Sequence, residues 1–202
     1  MSDARKGVEK ARGKAGKAEI DPCTILDETM VRSHFDLAEA TVSFRLSSST
    51  RHPLCTANWP KPNAEQIKAE MQAKMQEYML AAARGETVQM PSFKTDDEVT
   101  LTLNSPSFES AAQAASAYAS AMRVLAEGIK DKNDPSAPPK FQYDTVPVQG
   151  VGDQASWVPG LSQLSVQNGR HLFHVGVRVG DPNVNQETAK AMAEEIAAKL
   201  PR

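Results

Sequence analysis

The stretch Gly150-Val151-Gly152-Asp153-Gln154-Ala155 matches the G-x-G-x-x-A pattern with which a strand–turn–helix unit holds the pyrophosphate of a dinucleotide. That chemistry needs a strand before the glycines and a helix after them, so that phosphate meets a helix N-terminus. Here Pro147 disrupts the preceding strand, and Trp157-Val158-Pro159-Gly160 leaves no room for a helix. The glycines read instead as a tight turn, with Asp153 bonding nearby amides. No cofactor is expected. His171 and His174 suggest a metal pair, but residues three apart on a strand point to opposite faces and cannot share a zinc. His34 and His52 sit in no ligand-spaced cluster. Asp96-Asp97-Glu98 lacks the alternating ligands and glycine of a calcium loop and reads as the solvated lead into a strand. No metal site follows. With no G-x-S-x-G present, no catalytic residue is assigned, and the chain is not read as an enzyme.

What remains is binding chemistry. Ile67, Met71, Met75 and Met79 recur every fourth residue along the longest helical stretch, 64–84. Such a stripe is either an adaptable groove or core, and core is the preferred reading. A small polar pocket is the other candidate: His174 and Arg178 on the less apolar face of a C-terminal hairpin, with Trp157 close by.

These residues must be positioned by a sheet. Asn168-Gly169 suits a two-residue type I′ turn. That placement sets Gln167 against Arg170, Val166 against His171 and Leu164 against Phe173. Leu164, Val166, Phe173, Val175, Val177 and Val179 then share an apolar side. Ser165, Gln167, Leu172, His174 and Arg178 take the other. A closing helix, capped by Asn185, carries Ala189, Met192, Ala193, Ile196 and Leu200 on one stripe that should cover the apolar side.

Upstream, Asp27 is a good N-cap, with Leu26 and Val31 placed as a hydrophobic staple for a short helix to about Phe35. Alternation marks strands at Val42–Leu46, Cys55–Trp59 and Val99–Leu103, with Thr100 and Thr102 opposite the apolar set. Gly85 is the natural C′ residue of the 64–84 helix. A further helix, capped by Ser107, runs through Phe108, Ala111, Ala115, Tyr118, Met122, Leu125 and Ile129. Trp59-Pro60 and Trp157-x-Pro159 each end a short strand that is later followed by a strand and a helix, a weak internal echo of duplication.

The sum is an α+β fold, an antiparallel sheet of about five to six strands covered by amphipathic helices. With 202 residues and 40% hydrophobic content, one domain over 21–202 is expected, with a proline-bearing loop at 130–140. Residues 1–20 read as a disordered basic tail, in which Arg5, Lys6, Lys10, Arg12, Lys14 and Lys17 outnumber Asp3, Glu9 and Glu19. A net charge of -2 does not indicate a nucleic-acid binder. No apolar run is long enough to span a bilayer, and the tail has no apolar h-region of a signal peptide. The protein is thus cytoplasmic, or its sequence begins after a removed export signal. Cys23 and Cys55 are either a disulfide or two buried thiols.

Asp21-Pro22-Cys23 before a capped helix, Cys55-x-x-x-Trp59, and Val148-x-Gly150-x-Gly152-Asp153-x-Ala155-x-Trp157 together resemble small secreted lipoproteins of unknown function from actinobacteria. The resemblance covers roughly 21–60 and 98–200. It implies a periplasmic or cell-envelope location, a Cys23–Cys55 disulfide and a PsbP-like α+β fold. No lipobox cysteine precedes the tail, and the 64–84 helix is additional. The function expected is a non-enzymatic envelope module that binds a protein, as an accessory subunit of a membrane-associated complex. The alternative is a carrier of a small apolar ligand, with Met71, Met75 and Met79 lining its pocket.

Overall fold

Seven strands build one antiparallel sheet, seen here in a computed structural model that describes residues 20–37, 39–47, 49–90, 93–129, 138–180 and 182–201. The tail expected over 1–20 lies outside the described residues except for Ile20, which packs against the core. Most of the 130–140 loop also falls outside them. Its base is closed by Ile129 and Lys140, whose amides donate to each other's carbonyls at 2.7 and 2.9 Å.

The elements run α1 (Glu28–His34), β1 (Ser43–Leu46), β2 (Leu54–Pro60), α2 (Ala64–Ala83), β3 (Asp96–Leu103), α3 (Ala111–Glu127), β4 (Val146–Pro147), β5 (Gln154–Val158), β6 (Gln163–Asn168), β7 (His171–Arg178) and α4 (Pro182–Lys199). Strand order is β1-β2-β3-β7-β6-β5-β4. The α+β class is as expected, and the strand beyond six is β4. Proline cannot donate to a ladder, so Pro147 confines β4 to two residues at the sheet edge.

One sheet face is apolar. Cys55, Ala57, Val99, Leu101, Phe173, Val175, Leu164 and Val166 lie on it, all fully buried. The stripe Ala189, Met192, Ala193 and Ile196 of α4 covers this face and is itself fully buried. Each large side chain so enclosed contributes roughly 1.5–3 kcal/mol by leaving water. α1 closes the same side. The Asp27 carboxylate accepts from the Met30 amide at 2.8 Å, and the buried pair Leu26 and Val31 makes the expected staple. A Cys23–Cys55 disulfide, with Cα atoms 5.1 Å apart, ties the turn at Pro22–Thr24 to β2.

The hairpin's pairing differs from the expected one by two residues. Val166 faces Phe173 and Leu164 faces Val175, because the loop is Gly169–Arg170 rather than Asn168–Gly169. Gly169 has φ 56° and takes the first central position, where a type II′ turn requires glycine. Its amide donates to Asp153 Oδ2 at 2.7 Å, which holds the turn one residue later. Asn168 stays in the strand, and its side-chain amide donates to the Ala197 carbonyl at 3.0 Å. A two-residue shift leaves parity unchanged, so the expected division of side chains between faces survives.

Two caps also differ. Ser110, not Ser107, caps α3 by accepting from the Gln113 amide at 3.2 Å. Ser107 instead accepts from Arg170 Nη2 at 2.6 Å. α4 starts three residues before Asn185, as Pro182 suits a first helical position. Asn185 is buried within the first turn and accepts from the Val179 amide at 3.0 Å, tying the helix to the end of β7.

The echo of duplication is seen in the strands alone. β1-β2-β3 and β5-β6-β7 are two meanders that meet at β3 and β7. A twofold axis relating antiparallel neighbours is perpendicular to the sheet and preserves its faces, so α3 and α4 should share one. They lie on opposite faces: α4 over the apolar one, α3 over the polar one, where the Tyr118 hydroxyl donates to Ser156 at 2.7 Å.

Candidate functional site

On the polar face, one row of cross-strand neighbours runs Thr102, His174, Ser165, Ser156. The Ser165 hydroxyl and His174 Nδ1 are 2.9 Å apart. A serine–histidine contact invites a nucleophilic reading, which burial removes: Ser165 has no exposed surface and cannot meet a substrate. Burial lowers the His174 pKa to about 4, with His52 adding to the effect, so the imidazole is neutral at physiological pH. Burial also pushes the Tyr118 phenol up. Ser165 bonds His174 and Ser156 bonds Tyr118 of α3, so this part of the row is a hydrogen-bonded layer between sheet and helix.

The expected pocket of Trp157, His174 and Arg178 is not assembled. Trp157 pairs with Leu164 and lies on the apolar face, 3% exposed, with the sheet between it and His174. Arg178 faces Glu98 across β3 and β7 and is ion-paired with it, Nη1 to Oε1. Strand parity, not proximity in sequence, decides which face Trp157 takes.

The methionine stripe stands elsewhere than expected. α2 leaves the sheet after β2, and the return segment through Phe93 re-enters it at β3. Among the described residues no other helix or strand packs along α2, and its only buried residues are Ala64 and Ala81. Met71 and Met75 are half-buried, while Met79 and Leu80 are 64% and 62% exposed. The stripe is therefore not core. The helix forms because Ala, Glu, Gln, Lys, Met and Leu are strong intrinsic formers, aided by exposed pairs such as Lys68–Glu65 and Gln66–Glu70. Lys74 Nζ lies 5.2 Å from the Phe93 ring centroid, joining helix and return segment into one arm. At 1.5 Å per residue the helix is about 30 Å long. Open clefts of about 320 to 480 Å³ occur elsewhere, and none of Met71, Met75 and Met79 lines them.

Asp97, read as part of a solvated acidic lead, is 6% exposed. The alternation Val99, Leu101, Leu103, extended back two residues, puts it on the apolar face, and that signal was present in the sequence. It lines a cleft at the root of the arm with Phe35, Leu37, Trp59, Pro60 and Val179.

No family model, no curated protein and no solved structure matches this chain.

Proposed function

We propose that the chain is a non-enzymatic, extracytoplasmic binding module that docks a protein of a membrane-associated complex through the α2 arm. The observation that carries the reading is the Met71-Met75-Met79 stripe, half-buried at Met71 and Met75 and exposed at Met79, on a helix along which no other helix or strand packs among the described residues. An apolar helical stripe repeating every fourth residue suits a partner's groove, and thioether side chains adapt to irregular walls. A lipid surface fits less well. Membrane-lying helices carry mostly Lys and Arg on the polar face, whereas α2 carries Glu65, Glu70 and Glu77 against Lys68 and Lys74. The Cys23–Cys55 disulfide supports an oxidising compartment, as does the resemblance to secreted lipoproteins.

The test is site-specific photocrosslinking from position 79 in cells, followed by purification from native membranes. A discrete protein adduct absent from probes at Glu109 is expected. Adducts to lipid alone, or identical patterns from both positions, would overturn the reading.

A further inference from the structure

Asp97 enters the sheet opposite Trp59, at the end where β2 finishes and β3 begins. The Phe35 and Trp59 rings meet with centroids 4.9 Å apart and planes tilted by 46°. Around them Leu37, Pro60 and Val179 wall an open cleft of about 370 Å³, within the range of small-ligand sites. The Asp97 side chain is 9% exposed, and its Oδ1 is buried without a hydrogen-bond partner. The Lys61 ammonium stands 3.9 Å from that oxygen, too far for a hydrogen bond. Asp36 also lines the cleft, and the nearby Arg32 guanidinium is turned to the Ala40 carbonyl rather than to Asp97 Oδ1, which keeps no hydrogen-bond partner. Burial pushes the Asp97 carboxyl up, Lys61 opposing and Asp96 adding to it. A fold gains nothing by keeping an acceptor in that condition, and such groups collect at binding sites.

We propose that this cleft binds an organic ammonium ion, a primary amine carried on an apolar body. The carboxylate is an acceptor only, so its complement must donate. The aromatic faces attract a cation, and the aliphatic walls take the attached hydrocarbon. The site stands apart from the methionine stripe and does not rest on the docking reading. Two sources share this chemistry, a free amine and a lysine side chain presented by a protein.

The experiment is titration of the whole chain at neutral pH with 2-phenylethylamine, 2-phenylethanol and Nα-acetyl-lysine methylamide, followed by tryptophan fluorescence and calorimetry. Saturable amine binding is expected, at least tenfold tighter than the alcohol. Asp97→Asn should lower amine affinity tenfold or more while thermal unfolding is unchanged or shifts upward. Ala40→Leu, which fills the cleft from a surface loop, should also weaken binding and checks the result should the Asp97 variant fold poorly. Tighter binding of the lysine derivative than of phenylethylamine identifies a partner's side chain, and the reverse a free amine. Equal affinity for amine and alcohol, no saturation by any probe, or undiminished binding by both variants would overturn the proposal.

Discussion

Pro60 and Asp96 are paired across β2 and β3, although the chain runs through residues 61–95 between them. One step beyond, the Lys61 amide donates to the Thr95 carbonyl at 2.9 Å. The arm leaves and re-enters the sheet at a single point. Without it, β2 and β3 would be ordinary hairpin neighbours. An excursion whose ends already meet is, among the described residues, joined to the sheet chiefly at that junction, so arm and sheet can be altered separately.

Replacing residues 62–94 by Asn-Gly should therefore leave the fold intact. The new two-residue loop joins Lys61 to Thr95 in a geometry hairpins favour. We expect the melting temperature to stay within about 5 °C, since roughly 1 kcal/mol shifts a domain of this size by about 2–4 °C. Protein adducts captured through the arm should vanish. A collapse of the near-ultraviolet circular dichroism would show that α2 supports the core after all.

Parity was the legible quantity in this chain. Alternation alone assigned Leu164, Val166, Phe173, Val175 and Val177 to one face, and a two-residue error in the turn did not disturb that. The position of the turn was not legible, because it depends on Asp153 reaching the Gly169 amide from the bend before β5. Periodicity also has a limit. It reports that Met71, Met75 and Met79 share a face of α2, but not whether anything covers that face. Asp97 shows the opposite limit: its charge suggests solvent, while its strand parity buries it.

Breaking the disulfide should be costly. The Cys23–Cys55 link spans a sequence separation of 32 residues, and chain-entropy estimates for such a loop are about 3–4 kcal/mol. Cys23→Ala with Cys55→Ala avoids burying a hydroxyl at position 55, where no surface is exposed. Urea unfolding should show a stability in water lower by this amount, with a lower midpoint and a slope that rises as the unfolded chain loses its cross-link. A loss under about 1 kcal/mol would mean that the cross-link adds little to packing that already restrains this segment.

Acid should weaken the fold through His174. Unfolded histidine takes a proton near pH 6.5, whereas the buried ring resists until about 4. Between those values the unfolded chain binds more protons, so stability falls as pH falls. The loss across that window is about 3 kcal/mol, at about 1.4 kcal/mol per pH unit. Stability measured by urea from pH 7.5 to 4 should fall more steeply for the native protein than for His174→Gln. Parallel curves would show that the ring is protonated in the fold.

Gly176 is a position in β7 where a side chain has no room. It pairs with Thr100, and a Cβ built there would stand 2.4 Å from Thr100 Oγ1. Its φ is not in the left-handed region, so the obstacle is contact rather than backbone conformation. Gly176→Ala should then destabilise by roughly 1–3 kcal/mol, as overpacking does. Thr100→Ala removes the obstructing hydroxyl and methyl, and by itself should cost less than the clash, since Thr100 is only half-buried. Combined, the two substitutions should be more stable than Gly176→Ala alone, with a favourable coupling of about 1 kcal/mol or more in a double-mutant cycle. Strict additivity would instead locate the cost of Gly176→Ala in the strand backbone itself, since the Ser162 carbonyl at 3.8 Å is at ordinary contact distance. The cycle thus separates a side-chain collision from a backbone one, using only changes in the polar layer of the sheet.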